Sequence, residues 1–340
     1  MATGAASLDC FRHHGGRIDA ARLLFLEAPA EWIDLSTGIS PRACPISGDA
    51  VAASRTLPGP GDLAALEQAA AISFGVADAA AVVAVPGTDL ALRLLGVLLA
   101  VPRIAALVPG YGGHIAAWGE RLVTPIAADD LEGAADTHDA LILANPNNPD
   151  GRRFTRARLL DLADRLARGS AWLIVDEAFA DARPDDSIAS EAGGNVIVLR
   201  SFGKFFGLPG LRLGFVIGAP AITAPLRRLI GDWPLSSTAI HVATSAYRDG
   251  EWQAGQRRYL ARSTERLDRL LISRGLKIVG GTPLFRLTHH PEADGLFVRL
   301  ARASILTRPF APDSGLLRFG LPRGKQQWQR LGAAMGQIAR

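Results

Sequence analysis

Residues 199–214 read Leu-Arg-Ser-Phe-Gly-Lys-Phe-Phe-Gly-Leu-Pro-Gly-Leu-Arg-Leu-Gly, and this stretch contains Lys204. The chain has 37 basic residues, of which only three are lysines. Arginine keeps its proton near neutral pH, whereas a partly desolvated lysine can lose it. Phe205 and Phe206 follow Lys204 and favour the neutral amine, which can form a Schiff base. On this residue alone, a solvated loop lysine is the alternative.

The bulk composition is that of a globular protein. With 340 residues, 48% of them hydrophobic and 21% charged, the chain is long enough for two domains. The arginines are scattered among acidic residues, which disfavours nucleic-acid binding. Two cysteines and seven histidines without i,i+4 spacing predict neither a disulfide framework nor a metal site. The N-terminus lacks the apolar core of a signal peptide and no run is long enough to span a membrane, so we expect a cytoplasmic protein.

Six apolar runs of β type alternate with helical stretches through the middle of the chain. Continuous apolar runs are typical of parallel strands covered on both faces. They predict an α/β domain, a three-layer sandwich around a mostly parallel sheet. The runs are Ala81–Val85, Ile104–Val108, Ala140–Ala144, Trp172–Val175, Val196–Leu199 and Leu213–Ile217.

The flanking segments predict a second, smaller α+β domain. Residues 1–45 are interpreted as an N-terminal arm that joins this domain, residues 46–240 as the large domain, and residues 241–340 as the small C-terminal domain. A long helical stretch from Ser237 to Ser273 is predicted at their junction, and a last helix is predicted from Lys325.

Glycine, aromatic and polar residues follow the first three runs, at the strand ends where ligands bind in open α/β sheets. Gly87 and Thr88 begin a helix, which suits a phosphate; an ordinary N-cap is the alternative. Tyr111 can stack on a planar ring or simply pack. Asn148 lies in the turn-rich segment 145–151 and can donate a hydrogen bond.

Charged and hydroxyl residues follow the next two runs. Asp176 is costly at the end of a buried strand unless it pairs with a protonated ring nitrogen or with an arginine. Ser201 and Arg212 bind phosphate well. Together with Lys204, this set matches the aldehyde, ring nitrogen, ring face, phenolic oxygen and phosphate of pyridoxal 5′-phosphate (PLP). Each residue alone is weak or moderate evidence for a PLP site. Their joint occurrence, in order and at strand ends, is strong evidence for one.

From about residue 30 to residue 320 the chain resembles the fold-type I PLP enzymes, specifically the class I and II aminotransferases near histidinol-phosphate aminotransferase. The motifs are Asn-Pro-Asn-Asn-Pro-x-Gly at 145–151, Asp-Glu-Ala-Phe at 176–179, and a serine, a lysine and an arginine in the spacing of 201–212. This resemblance implies the PLP-dependent transferase fold of aspartate aminotransferase, a PLP cofactor, a small-molecule substrate and a homodimer.

The resemblance also implies a role for each matching residue. Lys204 would be the Schiff-base lysine, and Asp176 would pair with the pyridine nitrogen. Asn148 would bond the phenolic oxygen, and Tyr111 would stack on the ring. Arg318 falls where the family places the arginine that binds the substrate α-carboxylate. The residues that would hold the cofactor phosphate are Gly87, Thr88, Ser201 and Arg212.

A narrower likeness is to the L-threonine-O-3-phosphate decarboxylases of cobalamin biosynthesis. It rests on His14-Gly-Gly, on the segment from Asp34 to Pro41, and on Phe179, where aminotransferases usually carry tyrosine. The likeness implies decarboxylation of L-threonine O-3-phosphate to (R)-1-amino-2-propanol O-2-phosphate. Candidates for binding the substrate phosphate are His14, Arg17 and Arg308.

Three departures leave the substrate open. Leu57 stands where relatives usually have a tyrosine that reaches the neighbouring subunit's cofactor phosphate. Gly38-Ile-Ser-Pro41 replaces an Asn-x-Asn-Pro motif, and Asp150 replaces the usual threonine. An aminotransferase acting on a phosphorylated amino substrate such as histidinol phosphate is therefore the alternative.

Two other classes are disfavoured. A DNA-binding regulator built on the same fold would need a helix-turn-helix extension, which we do not find. A nicotinamide-dependent enzyme would carry G-x-G-x-x-G after the first strand, and this motif is absent from the sequence.

Overall fold

The computed structural model describes residues 8–29, 31–310 and 315–336. These residues form two compact units. The first, which we call the small unit, comprises Met1–Arg42, Pro149–Gly151 and Arg257–Arg340. The second, the large unit, comprises Ala43–Asn148 and Arg152–Gln256.

Thirteen strands and fourteen α-helices are described. The strands are β1 (Ile33–Asp34), β2 (Val82–Val85), β3 (Ile104–Leu107), β4 (Val123–Ile126), β5 (Ala140–Ala144), β6 (Trp172–Asp176), β7 (Val196–Ser201), β8 (Gly214–Ile217), β9 (Lys277–Thr282), β10 (Phe285–His289), β11 (Ile305–Leu306), β12 (Arg308–Pro309) and β13 (Leu316–Gly320). The helices are α1 (Asp9–His13), α2 (Ile18–Leu24), α3 (Gly48–Ala52), α4 (Pro60–Phe74), α5 (Thr88–Leu98), α6 (Gly113–Ala116), α7 (Leu131–Thr137), α8 (Arg156–Arg168), α9 (Phe202–Phe205), α10 (Pro220–Ile230), α11 (Ser237–Arg248), α12 (Gly250–Ser273), α13 (Ala293–Arg302) and α14 (Gly324–Gly336).

The large unit is built on a seven-stranded sheet in the order β2-β8-β7-β6-β5-β3-β4. Strands β4, β3, β5, β6 and β7 run parallel, whereas β8 is antiparallel to both β7 and β2. The prediction of a mostly parallel sheet is confirmed, with each of the six apolar runs forming a strand. Strand β4 was not predicted, because it contains Pro125, which is tolerated at the edge of a sheet.

Four strands of the sheet are buried along their whole length, as expected for a sheet covered on both faces. Every residue of β2, β3, β5 and β8 is buried. The apolar side chains of α5 and α10 pack against one face of this sheet, where Leu95 and Leu226 are fully buried. The polar groups at the strand ends are thereby held on a rigid base.

The exposed edge of β2 is closed by two charged side chains. The carboxylate of Glu67 on α4 accepts a hydrogen bond from the backbone N–H of Ala84 at 3.0 Å. Arg227 on α10 donates to the carbonyl of Val82 at 2.6 Å and to Glu67 at 2.9 Å. These bonds satisfy backbone groups that an edge strand otherwise leaves available to another chain.

The small unit contains a four-stranded antiparallel sheet in the order β12-β13-β10-β9. The N-terminal arm adds β1, which pairs in parallel with β11 so that Ile33 lies opposite Ile305. The short segment 149–151 belongs to this unit because the N–H of Gly281 donates to the carbonyl of Asp150 at 2.8 Å.

The helical stretch predicted as continuous from Ser237 to Ser273 is two helices, α11 and α12. The break comes at Asp249, whose carboxylate accepts a hydrogen bond from the N–H of Trp252 at 2.8 Å and so caps α12. Helix α11 packs on α4 in the large unit, and that unit extends to Gln256, beyond the predicted boundary at residue 240. Among the described residues, no helix is long and apolar enough to cross a membrane.

Candidate active site

The residues predicted to bind a cofactor lie at one edge of the large-unit sheet. Strands β5, β6 and β7 are adjacent and parallel. Their carboxyl ends lead to Asn148, Asp176 and Lys204, respectively. Strand β3, on the other side of β5, leads to Tyr111. Because parallel strands end at the same edge of the sheet, four of the predicted side chains share one end of the large unit.

Asp176 is buried and held by two donors. Its Oδ1 accepts a hydrogen bond from the N–H of Ala178 at 3.0 Å. Its Oδ2 lies 3.0 Å from Nε2 of His114, a residue that the sequence analysis did not identify. Because Asp176 accepts, His114 donates from Nε2; Nδ1 of His114 has no hydrogen-bond partner among the described residues. The N–H groups of Ala178 and His114 thus orient both oxygens of a carboxylate that can accept a hydrogen bond from a protonated ring nitrogen.

The ring of Tyr111 is fixed on two sides. Its hydroxyl donates to Asp89 at 3.0 Å, and its ring meets that of His114 edge to face with centroids 5.5 Å apart. Burial, and secondarily the charge of Asp89, raises the pKa of Tyr111, so the phenol stays protonated as a donor. A Cβ on Gly113 would lie 2.2 Å from the Tyr111 ring, so the ring occupies space that only glycine leaves open.

An anion-binding arrangement is present where β2 leads into α5. Gly87 precedes α5 with φ of 92°, and a Cβ there would lie 2.7 Å from the Arg212 guanidinium. A Cβ on Gly214 would lie 2.9 Å from the backbone nitrogen of Thr88. The guanidinium of Arg212 therefore lies against the N-terminus of an eleven-residue helix. Positive charge from the guanidinium and from the helix dipole suits a phosphate.

Lys204 lies on the single turn of α9 and is half-buried. Its ammonium group is 5.7 Å from the centroid of the Phe179 ring. Phe202 and Phe206 are buried and stack with centroids 4.4 Å apart. Phe206 is one of the two aromatic residues that the sequence predicted to give Lys204 an apolar setting.

The turn that carries Asn148 is braced by its neighbours in the large unit. The amide of Asn147 donates to the carbonyl of Pro109 at 2.9 Å, close to Tyr111 in sequence. Asn145 donates to the carbonyl of Phe154 and accepts from its N–H at 3.0 Å. The two buried asparagines fix the backbone, and Asn148 is the half-buried member of the three.

A buried charge network lies directly beside these residues in sequence, and the sequence analysis missed it. Arg200, adjacent to Ser201, donates to Glu177 at 2.9 Å and also contacts Asp181. Glu177 further accepts from Ser187 and from the N–H of Ile188. Burial raises the pKa of Glu177, while the two carboxylates hold the pKa of Arg200 above its ordinary value despite burial. The network ties the end of β6 to the end of β7.

The small unit carries the residues predicted to bind substrate. Arg318 is buried on β13 and donates to the carbonyl of Ser36 at 2.8 Å. Arg308 on β12 lies directly opposite Arg318 on the neighbouring antiparallel strand β13. Burial, and then the charge of Arg308, lowers the pKa of Arg318 to about 9. Two guanidinium groups of like charge in a buried setting favour an anionic ligand.

The N-terminal arm contacts the same arginines. Arg308 donates to the carbonyl of His13 at 2.8 Å. The N–H of Gly16 donates to the hydroxyl of Ser36 at 2.8 Å, and a Cβ on Gly15 would lie 2.5 Å from the Ser36 carbonyl oxygen. His14 lies in the small unit, next in sequence to His13, and its side chain is exposed. The exposed Arg17 contacts the carbonyl of Cys10 at 3.5 Å. The assignment of these residues to substrate stays a prediction.

The chain is similar to curated proteins over nearly its whole length. A threonine-phosphate decarboxylase of Pseudomonas aeruginosa is 39% identical over 325 residues, which cover 95% of this chain and 96% of that protein. A threonine-phosphate decarboxylase of a Sinorhizobium species is 37% identical over 332 residues, covering 96% and 98%.

The fold also has close counterparts among solved structures. The crystal structure of histidinol-phosphate aminotransferase from Sinorhizobium meliloti, in complex with pyridoxal-5′-phosphate, matches with a TM-score of 0.81 and 22% identity over 100% of this chain and 98% of that one. The family model for aminotransferase class I and II matches residues 48–327. The fold and family expected from the motifs are thus confirmed, and the chain belongs to the aminotransferase class I and II family.

Proposed function

We propose that the chain is a PLP-dependent lyase that decarboxylates L-threonine O-3-phosphate to (R)-1-amino-2-propanol O-2-phosphate, a step of cobalamin biosynthesis. The observation that carries the proposal is the near full-length similarity to the two threonine-phosphate decarboxylases at 37–39% identity. The buried pair Arg308 and Arg318 supports it, since the substrate has two anionic groups, a carboxylate and a phosphate.

The residues of the large unit fit PLP. Gly87 lets the Arg212 guanidinium lie against the start of α5, which suits a phosphate group, and Asp176 offers a carboxylate to the ring nitrogen. Tyr111 presents an aromatic ring in a fixed orientation, and Lys204 supplies the amine. When bound, the cofactor supplies an electron-accepting ring that stabilises negative charge developing at the substrate Cα.

Each protein group then has a defined task. Asp176 keeps the ring nitrogen protonated, and His114 holds the Asp176 carboxylate in place through Oδ2. Arg318 would bind the substrate carboxylate and so restrict the orientation of the bonds at Cα. Lys204 delivers a proton to Cα after CO2 has left. Phe179 has no hydroxyl and adds no hydrogen bond to the cofactor's phenolic oxygen, which leaves Asn148 as the proposed donor.

The alternative is an aminotransferase, for instance one acting on histidinol phosphate. It would use the same cofactor residues and differ in the bond that is broken at Cα. Histidinol phosphate has no carboxylate, but the 2-oxo acid that would accept its amino group has one, so the buried arginines fit both reactions. The near full-length similarity to the two threonine-phosphate decarboxylases is our reason for preferring the decarboxylase.

The two reactions give different products. The purified chain with added PLP is incubated with L-threonine O-3-phosphate, and CO2 and aminopropanol phosphate are measured. Formation of both supports the decarboxylase. Formation of a 2-oxo acid together with pyridoxamine phosphate, or turnover of histidinol phosphate alone, would support the aminotransferase.

We also propose that the enzyme works in the cytoplasm as a homodimer. Val51, Leu57 and Trp233 of the large unit are 60%, 71% and 62% exposed, which is unusual for large apolar side chains and suits a contact with a second copy. Light scattering on the protein eluted from a size-exclusion column would give twice the mass of the chain. The same measurement on Trp233→Asp would give the mass of one chain. A wild-type protein that elutes with the mass of one chain would contradict the dimer.

A further inference from the structure

A groove in the small unit gathers positive charge away from the residues discussed so far. It lies between α12 and α14, has a volume of about 360 Å³, and is lined by Arg262, Ser263, Arg266 and Lys325 together with Tyr259 and Trp328. Helix α14, thirteen residues long, begins at this groove with Gly324. None of these residues belongs to the proposed cofactor or substrate set.

The three cations of the groove have no acidic partner in the part of the chain that the structure describes. In residues 8–29, 31–310 and 315–336, no carboxylate oxygen lies within ion-pair distance of Arg262, Arg266 or Lys325. Other arginines of the small unit do have such partners: Arg286, for example, pairs with Asp268 at 2.6 Å. Three positive charges without an acidic partner at one concave surface raise the local positive potential, which favours the binding of an anion.

A serine in the groove points to a ligand independently of the charges. Ser263 is only 8% exposed, yet its hydroxyl has no hydrogen-bond partner among the described residues. Helical Ser and Thr hydroxyls commonly donate to the carbonyl of the preceding turn. Thr264 on the same helix does so, donating to Leu260 at 2.6 Å. Ser263 therefore presents an unused donor and acceptor to the groove that it lines.

One of the guanidinium groups is held in place by packing. Arg266 lies 4.3 Å from the centroid of the buried Trp328 ring, a cation–π contact that orients the planar guanidinium. A guanidinium fixed in this way loses little conformational entropy on binding and can donate two parallel hydrogen bonds to a phosphate. The backbone N–H groups in the first turn of α14 add further hydrogen-bond donors, and the positive end of the helix dipole lies there too.

We propose that this groove is a binding site for a small diphosphate-bearing ligand, separate from the cofactor and substrate residues. Several cations, a free hydroxyl and a helix N-terminus are the donors that phosphate groups need. The concave shape and the volume fit a small molecule better than a nucleic-acid backbone, which would need an extended basic surface. The shared chemistry is the diphosphate group, free or carried by a nucleoside.

The test is calorimetric titration of the full chain with inorganic pyrophosphate and, separately, with ADP. We expect saturable binding of one ligand per chain by at least one of them, and the tighter of the two identifies the source. Arg262→Gln and Lys325→Gln should each weaken binding about tenfold, which corresponds to ~1.4 kcal/mol. Ser263→Ala should weaken it several-fold without a change in charge.

Arg269→Gln is the matched control, because it removes one exposed positive charge from α12 outside the groove. It should leave the affinity unchanged. Thermal unfolding without ligand verifies that each variant is folded, and pyrophosphate or ADP should raise the unfolding temperature of wild type and of Arg269→Gln more than that of Lys325→Gln. The proposal is overturned by absence of binding, by an equal loss in Arg269→Gln, or by competition from PLP. Tighter binding of a short single-stranded oligonucleotide with the same variant pattern would also overturn it.

Discussion

Nε2 of His114 lies 3.0 Å from Oδ2 of Asp176, and both side chains are buried. His114 comes from the short helix α6, and Asp176 from the end of β6. The contact places a second N–H donor on the carboxylate that is proposed to hold the cofactor ring nitrogen. His114 is therefore a positioning residue in the proposed mechanism, acting through Asp176.

Replacing His114 should weaken the hold on the cofactor. In His114→Leu, Asp176 keeps only the N–H of Ala178, and a lost hydrogen bond to a charged group costs about 1.5–3 kcal/mol. We expect PLP to bind at least about tenfold more weakly, measured by quenching of tryptophan fluorescence. His241→Leu, an exposed site on α11, is the control and should bind PLP normally. Unchanged PLP affinity in His114→Leu would show that the contact has no role in the cofactor site.

Gly87→Ala should disturb the phosphate seat directly. The new Cβ would lie 2.7 Å from the Arg212 guanidinium, at a residue whose φ of 92° is unfavourable for alanine. We expect a loss of PLP affinity of about tenfold or more, since displacing Arg212 removes a charge-assisted hydrogen bond. Gly210→Ala is the control, because a Cβ there meets nothing within 4 Å. Equal PLP affinity of the two variants would refute the phosphate seat.

The buried network around Arg200 should dominate the stability of the large unit. Arg200→Met leaves Glu177 and Asp181 buried without their cation, and breaking such a network costs about 3–5 kcal/mol. Arg103→Met is the comparison, because Arg103 pairs with Asp139 at 2.6 Å on the surface and should change stability little. The free energy of unfolding in urea distinguishes the two. Similar values for both variants would contradict the assigned role of the network.

The lowered pKa of Arg318 predicts how substrate binding depends on pH. Below about pH 9 Arg318 is cationic and binds an anion; as pH rises through about 9 the cation is lost. We expect KM for the phosphorylated substrate to rise above that pH in wild type. A KM that stays constant up to pH 10 would mean that Arg318 does not bind the substrate carboxylate.

The lowered pKa of Arg318 also affects the stability of the fold. Stability should rise with pH over the range in which substrate binding weakens. Above about pH 9 unfolded Arg318 still holds its proton and folded Arg318 does not, so the unfolded state binds more protons and stability rises with pH there. Below pH 9 the buried cation disfavours folding. Arg318→Met should therefore be at least as stable as wild type at pH 7 in urea, although it no longer binds substrate. A clear loss of stability in this variant would mean that the Ser36 hydrogen bond outweighs the burial of charge.

The sequence predicted the residues at the strand ends better than the residues that surround and support them. Each apolar run formed a strand, and the polar residues after the first five runs could be identified because parallel strands bring their carboxyl ends to the same end of the sheet. Strand β8 is antiparallel, which an apolar run does not indicate. The break at Asp249-Gly250 had a recognisable signal, a capping residue followed by glycine, and was passed over because apolar periodicity continues on both sides.

The residues that support the site were harder to predict. His114 lies three residues after Tyr111 in a short helix, and nothing local distinguishes it from a surface histidine. Arg200 and Glu177 each sit next to a predicted site residue, but which carboxylate meets which guanidinium depends on the pairing of β6 with β7. The available signal was Arg200, directly after the apolar run Val196–Leu199, because a charge buried in a strand needs a partner.

Carbon released from the substrate is the most direct measure of the proposed reaction. L-threonine O-3-phosphate labelled with 13C at the carboxyl carbon is incubated with the PLP-loaded protein, with Lys204→Ala as the control. We predict labelled CO2 and a single new phosphate ester, aminopropanol phosphate, in equal amounts, with neither formed by Lys204→Ala. Retention of the label in a 2-oxo acid, or equal release of CO2 by Lys204→Ala, would contradict a decarboxylase that depends on Lys204.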